Sequence, residues 1–277
     1  MYTYRTDVPP PHSLRRLFPV FAPFCSLLPR FHKERAFHAY CVGLPRSGTH
    51  SIAATLRNFR SAHEPMCSTT IDHSIEYFRC GMGYRFSRDI MLTRDKYLYL
   101  EMESAHYLEL MVPLLVEIFP RAKFIMTVRN PIEWLVSEIN QRLRGSGRRC
   151  FRKQIAFIYG GYGGRRPSIE RDLGENQYLY PLANYFRYWR DHQQRVIESV
   201  PKERLLVVRT EDLSDSWDDI ANFLGIKQQE LCLEYGRSHS FDNYEIRVLE
   251  KIPRSYVKEL ALKHCQPFLS RLYPDFN

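Results

Sequence analysis

The sequence predicts an α/β fold in three layers, a central and mainly parallel β-sheet flanked by helices. Two observations carry this. Short β-rich runs alternate with stretches of helical period along most of the chain, and the clearest strand and helix are joined by a glycine-containing turn. At 277 residues the chain is long enough to bury one full core, and 44% hydrophobic with 26% charged residues is ordinary for a globular protein.

Taken in order, residues 1–35 read as an N-terminal arm and 36–277 as a single domain. In the arm, Arg15 and Arg16 precede an apolar stretch from Leu17 to Leu28 that contains Pro19 and Pro23. A membrane span needs roughly 20 apolar residues. The prolines oppose a continuous signal-peptide helix, and no small-residue cleavage site follows. The arm is therefore expected to pack across the domain or to make a peripheral membrane contact.

Ala36–Val42 reads as a buried strand, ended by the turn-forming Gly43, Leu44 and Pro45. Ile52, Leu56 and Phe59 then recur at helical spacing, predicting a helix over Thr49–Asn58. Tyr97–Leu100 looks like a second strand, Leu108–Phe119 a helix and Lys123–Val128 a third strand. Ile132, Leu135, Val136, Ile139 and Leu143 mark the next helix, with Asn130 as N-cap and Pro131 at its first position. Residues 145–175 break the rhythm with glycines, arginines and aromatics, and predict a mobile insertion holding a short helix near Phe151–Tyr159. The pattern resumes with a helix over Tyr180–Ser199 and a strand over Leu205–Val208. A helix marked by Trp217, Ile220, Ala221 and Leu224 follows and stops at Gly225. From Gln228 onward the tendency is helical. Trp134, Trp189 and Trp217 have apolar neighbours at helical spacing and read as core.

Lys plus Arg outnumber Asp plus Glu by 40 to 31, giving +9, which favours an anionic partner or leaves a solvated basic surface. Seven cysteines fall without CxxC pairs or His/Cys ligand spacing, which fits reduced thiols of a cytoplasmic protein and no zinc site.

The most informative segment is Gly43-Leu44-Pro45-Arg46-Ser47-Gly48-Thr49-His50-Ser51, between predicted strand and predicted helix. In that setting backbone N–H groups can wrap an anion, Gly48 permits close approach, and Arg46, Ser47, Thr49 and His50 add donors. Gly43 and Gly48 have the spacing of the nucleotide-triphosphatase loop GxxxxGK[ST]. Thr49 and His50, however, occupy the places of its Lys and its magnesium-binding Ser/Thr. Such a loop is poorly equipped for Mg·ATP and suits a 5′-phosphate carrying a sulfuryl group, with no metal. In Lys123-Phe124-Ile125-Met126-Thr127-Val128-Arg129-Asn130-Pro131, Arg129 leaves a strand as a capped helix begins. Ser137 lies on the same side of that helix as Asn130, and together Arg129 and Ser137 can clamp a 3′-phosphate.

These two motifs resemble those of the PAPS-dependent sulfotransferases, which use 3′-phosphoadenosine 5′-phosphosulfate (PAPS) and release 3′-phosphoadenosine 5′-phosphate (PAP). The resemblance runs from about residue 38 to 225. It implies a P-loop-like fold and assigns Arg46, Ser47, Gly48, Thr49, His50 and Ser51 to the 5′ side and Arg129 and Ser137 to the 3′ side. Leu205-Leu206-Val207-Val208-Arg209-Thr210-Glu211-Asp212-Leu213 is similar to the family's later strand and acidic turn. Two features depart from cytosolic members. Arg46 stands where they carry Lys, and no counterpart of their C-terminal Gly-rich adenosine motif is present, which leaves Arg and Tyr residues of 145–188 as candidates for holding adenine.

Sulfuryl transfer needs a base for the acceptor proton and positive charge on the leaving oxygen. Arg46 meets the second need. For the base, Glu64 in Ser61-Ala62-His63-Glu64-Pro65 resembles the Glu-Pro of members that use a carboxylate, against the alternative of a surface Glu before a helix-breaking Pro. His106 is the rival, 23 residues before Arg129, with Ser104 rather than Lys two places ahead of it. The alternation of an extended segment turns His63 away from Glu64. Glu101 and Glu103 are expected to contact a basic acceptor or a loop arginine. Arg142–Arg149 reads either as a solvated face or as a lid over the site.

The function this predicts is sulfuryl transfer to a hydroxyl or amine of a small metabolite, glycan or glycolipid, with segments 66–96 and 145–188 building the acceptor pocket. The alternatives are a small-molecule kinase, opposed by Thr49 and His50, and a non-catalytic anion- or nucleic-acid-binding protein, which the +9 charge fits but no nucleic-acid module signature supports. Oligomeric state is not legible in the sequence.

Overall fold

The computed structural model describes residues 34–80, 84–144, 147–173, 179–236 and 247–276. Nearly all of the N-terminal arm therefore lies outside the described residues. Five strands form one parallel sheet: β1 (Ala39–Cys41), β2 (Ser61–His63), β3 (Met102–Ser104), β4 (Lys123–Val128) and β5 (Leu205–Arg209), in the order β2-β3-β1-β4-β5. Helices cover both faces: α1 (Thr49–Thr55), α2 (Cys67–Cys80), α3 (Tyr84–Leu98), α4 (Val112–Ile118), α5 (Pro131–Leu143), α6 (Arg149–Ile158), α7 (Leu182–Ser199), α8 (Trp217–Leu224), α9 (Arg254–His264) and α10 (Phe268–Leu272).

The two-residue period of a strand explains how one sheet serves two cores. Ala39, Cys41 and Ile125 face a core completed by Ile52 of α1, Leu56 at its C-cap, and Trp217, Ile220 and Leu224 of α8. Their neighbours Tyr40, Val42, Phe124 and Met126 face the other side, against Ile71 and Ile75 of α2 and Leu115 of α4. A third cluster joins Leu44 to α5, α7, α9 and α10 through Trp134, Trp189, Tyr185 and Leu269. All three tryptophans are buried, as their spacing predicts.

Several boundaries follow from local chemistry. Asn130 caps α5, its side-chain oxygen accepting from the N–H groups of Ile132 at 3.0 Å and Glu133 at 3.4 Å. Gly225 ends α8 in the left-handed region at φ 81. The predicted helix Leu108–Phe119 is a 3₁₀ segment, His106–Met111, followed by α4, and the change of helix type falls beside Pro113. The predicted mobile insertion contains α6 and two short 3₁₀ turns, Gly160–Tyr162 and Ser168–Leu173.

Tyr97–Leu100 is not a strand. Tyr97 and Leu98 end α3, and the Tyr99 N–H still bonds Asp95 O at 2.8 Å. The end of α3 is fastened by charge: Arg94 grips Glu103 of β3 through both terminal nitrogens, and Asp95 pairs with Arg35 at 2.7 Å. Tyr99 then reverses the chain at φ 46, and the strand follows at Met102.

Candidate active site

The turn after β1 is shaped by contacts that only its own residues permit. A Cβ on Gly43 would meet Thr127 Oγ1 at 1.9 Å and the Thr127 backbone at 2.7 Å, so glycine is what lets the turn cross β4. Pro45 O accepts from Trp134 Nε1 at 2.8 Å. Thr210 Oγ1 lies 2.8 Å from Ser47 O and 3.0 Å from Val128 O, tying the turn to the ends of β4 and β5. Ser47 is fully buried, and its hydroxyl faces Leu44 O at 2.6 Å and Thr127 Oγ1 at 2.8 Å. Its side chain thus fastens the loop to β4. Arg46 takes a left-handed conformation at φ 66, costly for a residue with a Cβ, and Gly48 follows at φ 99.

Arg46, Gly48, Thr49, His50, Ser51, Glu64, His106 and Arg129 all line one cavity of about 460 Å³. Ser137 joins them through Arg46, whose Nε donates to Ser137 Oγ at 3.2 Å. Arg129 leaves β4 with its carbonyl held by Trp189 Nε1 at 3.0 Å and its Nε 3.6 Å from Glu133 Oε2. Of the sequence-predicted site residues, only the side chains of Ser47 and Ser137 stand behind the lining, one fixing the loop and the other touching Arg46.

Glu64 and His106, the two rival bases, are bonded to each other. His106 Nδ1 lies 2.8 Å from Glu64 Oε1, and its Nε2 lies 3.0 Å from Gln154 Oε1 of α6. With acceptors at both ring nitrogens, the cationic imidazolium satisfies both contacts. Burial pushes the Glu64 carboxyl up, but the hydrogen bond and charge of His106, with His63 and Arg148, outweigh it and hold the group below its ordinary value. Burial likewise pushes His106 down, and Glu64 and Gln154 reverse that and raise it. Glu64 sits at φ 51, held by its N–H to Ser104 O at 2.9 Å, while Pro65 O accepts from Arg94 at 3.0 Å and Tyr107 at 3.1 Å.

That left-handed backbone corrects the expectation for His63. Alternation holds only while the chain is extended, and Glu64 breaks it, so both His63 and Glu64 line the cavity. His63 Nε2 is 3.3 Å from Thr49 Oγ1, and its ring meets that of His50 edge to face at 5.0 Å. Glu101 meets a loop arginine, as one of the two expectations has it, whereas Glu103 pairs with an arginine on α3. They are buried partners of Arg60 and Arg94 and do not line the cavity.

The lining includes residues the motifs do not contain, Gln141, Phe151, Ser214 and Gly236, together with Leu213 of the acidic-turn motif and Arg142, whose run reads in sequence as either a lid or a solvated face. Arg142 Nε lies 2.9 Å from Glu138 Oε1, which also accepts from Tyr159 OH at 3.0 Å. Gln141 lies four residues, one helical turn, beyond Ser137, which is the signal the sequence offers for it. Tyr159, Tyr185 and Tyr188, candidates for holding adenine, are core residues. Burial pushes the Arg46 guanidinium down; Glu138 opposes this, while Arg129, Arg144 and Arg142 reinforce it. An anion entering the cavity would relieve that mutual repulsion. No group of three or more His, Cys, Asp or Glu residues is arranged to hold a metal among the described residues. No described helix is long and apolar enough to cross a membrane.

Residues 40–230 match the sulfotransferase domain family, a span that contains all ten sequence-predicted site residues. Among solved structures, the chain is similar to the sulfotransferase STF9 from Mycobacterium avium at 14% identity and TM-score 0.48, over 92% of this chain and 80% of that one. It is also similar to the sulfotransferase domain of the Synechococcus PCC 7002 olefin synthase at 16% identity and TM-score 0.41, over 85% and 90%. No curated protein matches it in sequence. With the family match spanning more than two thirds of its length, the chain belongs to the sulfotransferase family.

Proposed function

We propose that this sulfotransferase uses PAPS as donor and moves its sulfuryl group to a hydroxyl or amine of a small metabolite, glycan or glycolipid, without a metal. The observation that supports this best is the convergence on one cavity of Arg46, Arg129 and the Glu64–His106 pair, from four separate segments, with Ser137 bonded to Arg46. Arg46 and the loop would receive the 5′-phosphosulfate, and Arg129 with Ser137 the 3′-phosphate. Thr49 and His50, in place of Lys and Ser/Thr, support a donor that needs no magnesium.

In the proposed reaction the acceptor oxygen or nitrogen attacks sulfur in line. Its proton passes to the Glu64 carboxylate as the new bond to sulfur forms. The bond between sulfur and the 5′-phosphate oxygen breaks, and PAP leaves with that electron pair, its developing charge met by the Arg46 guanidinium. His106 holds Glu64 ionised and oriented. Both its ring nitrogens are already engaged, and it is the less exposed side chain of the two, 10% against 21%.

The test is incubation with PAPS radiolabelled on sulfur and a panel of phenols, amines, sugars and glycolipids. Label appearing on an acceptor with the native chain, and lost with Glu64→Gln, is the expected result. A folded chain that neither binds PAPS nor transfers label would refute the reading.

A further inference from the structure

Cys67 and Cys150 are 83 residues apart in sequence, yet their sulfurs lie 3.9 Å apart. Cys67 opens α2 and Cys150 is the second residue of α6, two helices that pack on each other. Each cysteine adjoins one end of the chain of bonds through His106. Cys67 follows Glu64 by three residues, across Pro65 and the left-handed Met66 at φ 53. Cys150 precedes Phe151, whose ring stacks on His106 at 6.1 Å, and lies one turn before Gln154. Both thiols are buried, and a terminal nitrogen of Arg148 reaches Cys67 Sγ at 3.2 Å.

We propose that Cys67 and Cys150 form an oxidant-sensitive dithiol, a modification site at which a hydroperoxide joins them in a disulfide that slows sulfuryl transfer. The bond itself does not depend on the donor reading above; its effect on transfer does. Cys67 is the one that the Arg148 guanidinium contacts, at 3.2 Å, and it is placed as the attacking sulfur. Burial and the neighbouring Cys67 push the Cys150 thiol up, which suits the second, resolving group. Cys67 sulfur attacks one peroxide oxygen, forming a sulfenic acid and releasing hydroxide. Cys150 sulfur then attacks Cys67 sulfur and expels its oxygen as water. In sum two thiols and one hydrogen peroxide give one disulfide and two waters, two electrons passing from sulfur to oxygen.

The consequence for the site is mechanical. The sulfurs must close from 3.9 Å to about 2.05 Å, drawing the starts of α2 and α6 together. Phe151 and Gln154 ride on α6, and Glu64 lies on the segment leading into α2. Closure therefore shifts the base against its partner, and a misplacement of about 1 Å can cost on the order of a hundredfold in rate.

The experiment treats the reduced full-length chain with hydrogen peroxide, alkylates remaining thiols and maps peptides without reduction. Transfer is assayed in parallel. The expected result is a linked Cys67–Cys150 peptide, a chain lighter by two hydrogens, and transfer reduced by about tenfold or more, all reversed by dithiothreitol. Cys150→Ser and Cys67→Ala should each abolish the linked peptide and keep most of their activity under the same treatment. A folded, treated chain with both thiols still alkylated overturns the site. A linked peptide with unchanged transfer, or equal loss of activity in Cys150→Ser, overturns its effect. If the linked peptide forms in a chain that shows no transfer even when reduced, the donor reading fails and the dithiol stands.

Discussion

Glu64 Oε1 and His106 Nδ1 lie 2.8 Å apart, so the proposed base and its rival form one hydrogen-bonded pair. Gln154 at the far ring nitrogen fixes the imidazole in place, and His63 and Arg148 add positive charge around the carboxylate.

Glu64→Gln keeps the shape of the side chain and removes the proposed base. Transfer is expected to fall by about 10²–10⁴, the range for losing a general base, with PAP affinity unchanged in calorimetry. An equal loss of PAP affinity would place Glu64 in donor binding instead.

The acid limb of the rate profile should depend on His106. The Glu64 carboxyl is held below its ordinary value, so it stays ionised, and the enzyme active, until pH falls through that depressed value. His106→Gln and Gln154→Leu remove or loosen the cation, and the limb should move to higher pH, further for His106→Gln. A drop in rate with an unmoved limb would reduce both residues to packing.

The same pair shapes stability. Glu64, depressed, stabilises the fold above its ordinary range and loses that contribution as pH falls through the depressed value. His106, raised, contributes fully below about 6.5 and loses its contribution as pH rises through the raised value. Glu64→Gln should therefore cost most between those two limits. Melting temperatures across pH, native against variant, read this directly.

Gly43→Ala should destabilise the fold by about 1–3 kcal/mol, the range for overpacking, because its Cβ meets Thr127 backbone as well as side chain. Gly161, where an added Cβ has nothing within 4 Å, provides the control: Gly161→Ala should stay within about 0.5 kcal/mol. Denaturant unfolding of the two variants checks both.

How much was legible in the sequence depended on how many residues a feature spans. β4 is legible to both ends because Phe124–Val128 is a continuous buried run behind the half-buried Lys123, closed by Asn130 and Pro131. β2 and β3 are three-residue strands, Ser61–His63 and Met102–Ser104, with no β-branched residue, and they exist through pairing with their neighbours. Glu64 directly follows β2 and His106 lies two residues past β3, so the sequence presents the two as rivals and does not show their bond. His63 entered the site because Glu64 and Met66 depart from extended geometry, which composition does not announce. Gln154 and Arg142 lie on helices whose faces are chosen by tertiary packing. That the residues of the Gly43–Ser51 loop gather at one cavity was legible because their spacing is local.

The most direct test of the account is calorimetry of PAP without metal, against adenosine 5′-phosphate and ATP·Mg, with Arg129→Ala as the variant. The account expects PAP to bind much more tightly than adenosine 5′-phosphate. It expects Arg129→Ala to weaken PAP by roughly tenfold or more, the worth of one charge-assisted hydrogen bond, and to leave adenosine 5′-phosphate unaffected. A preference for ATP·Mg, or no nucleotide binding by the folded chain, would contradict it.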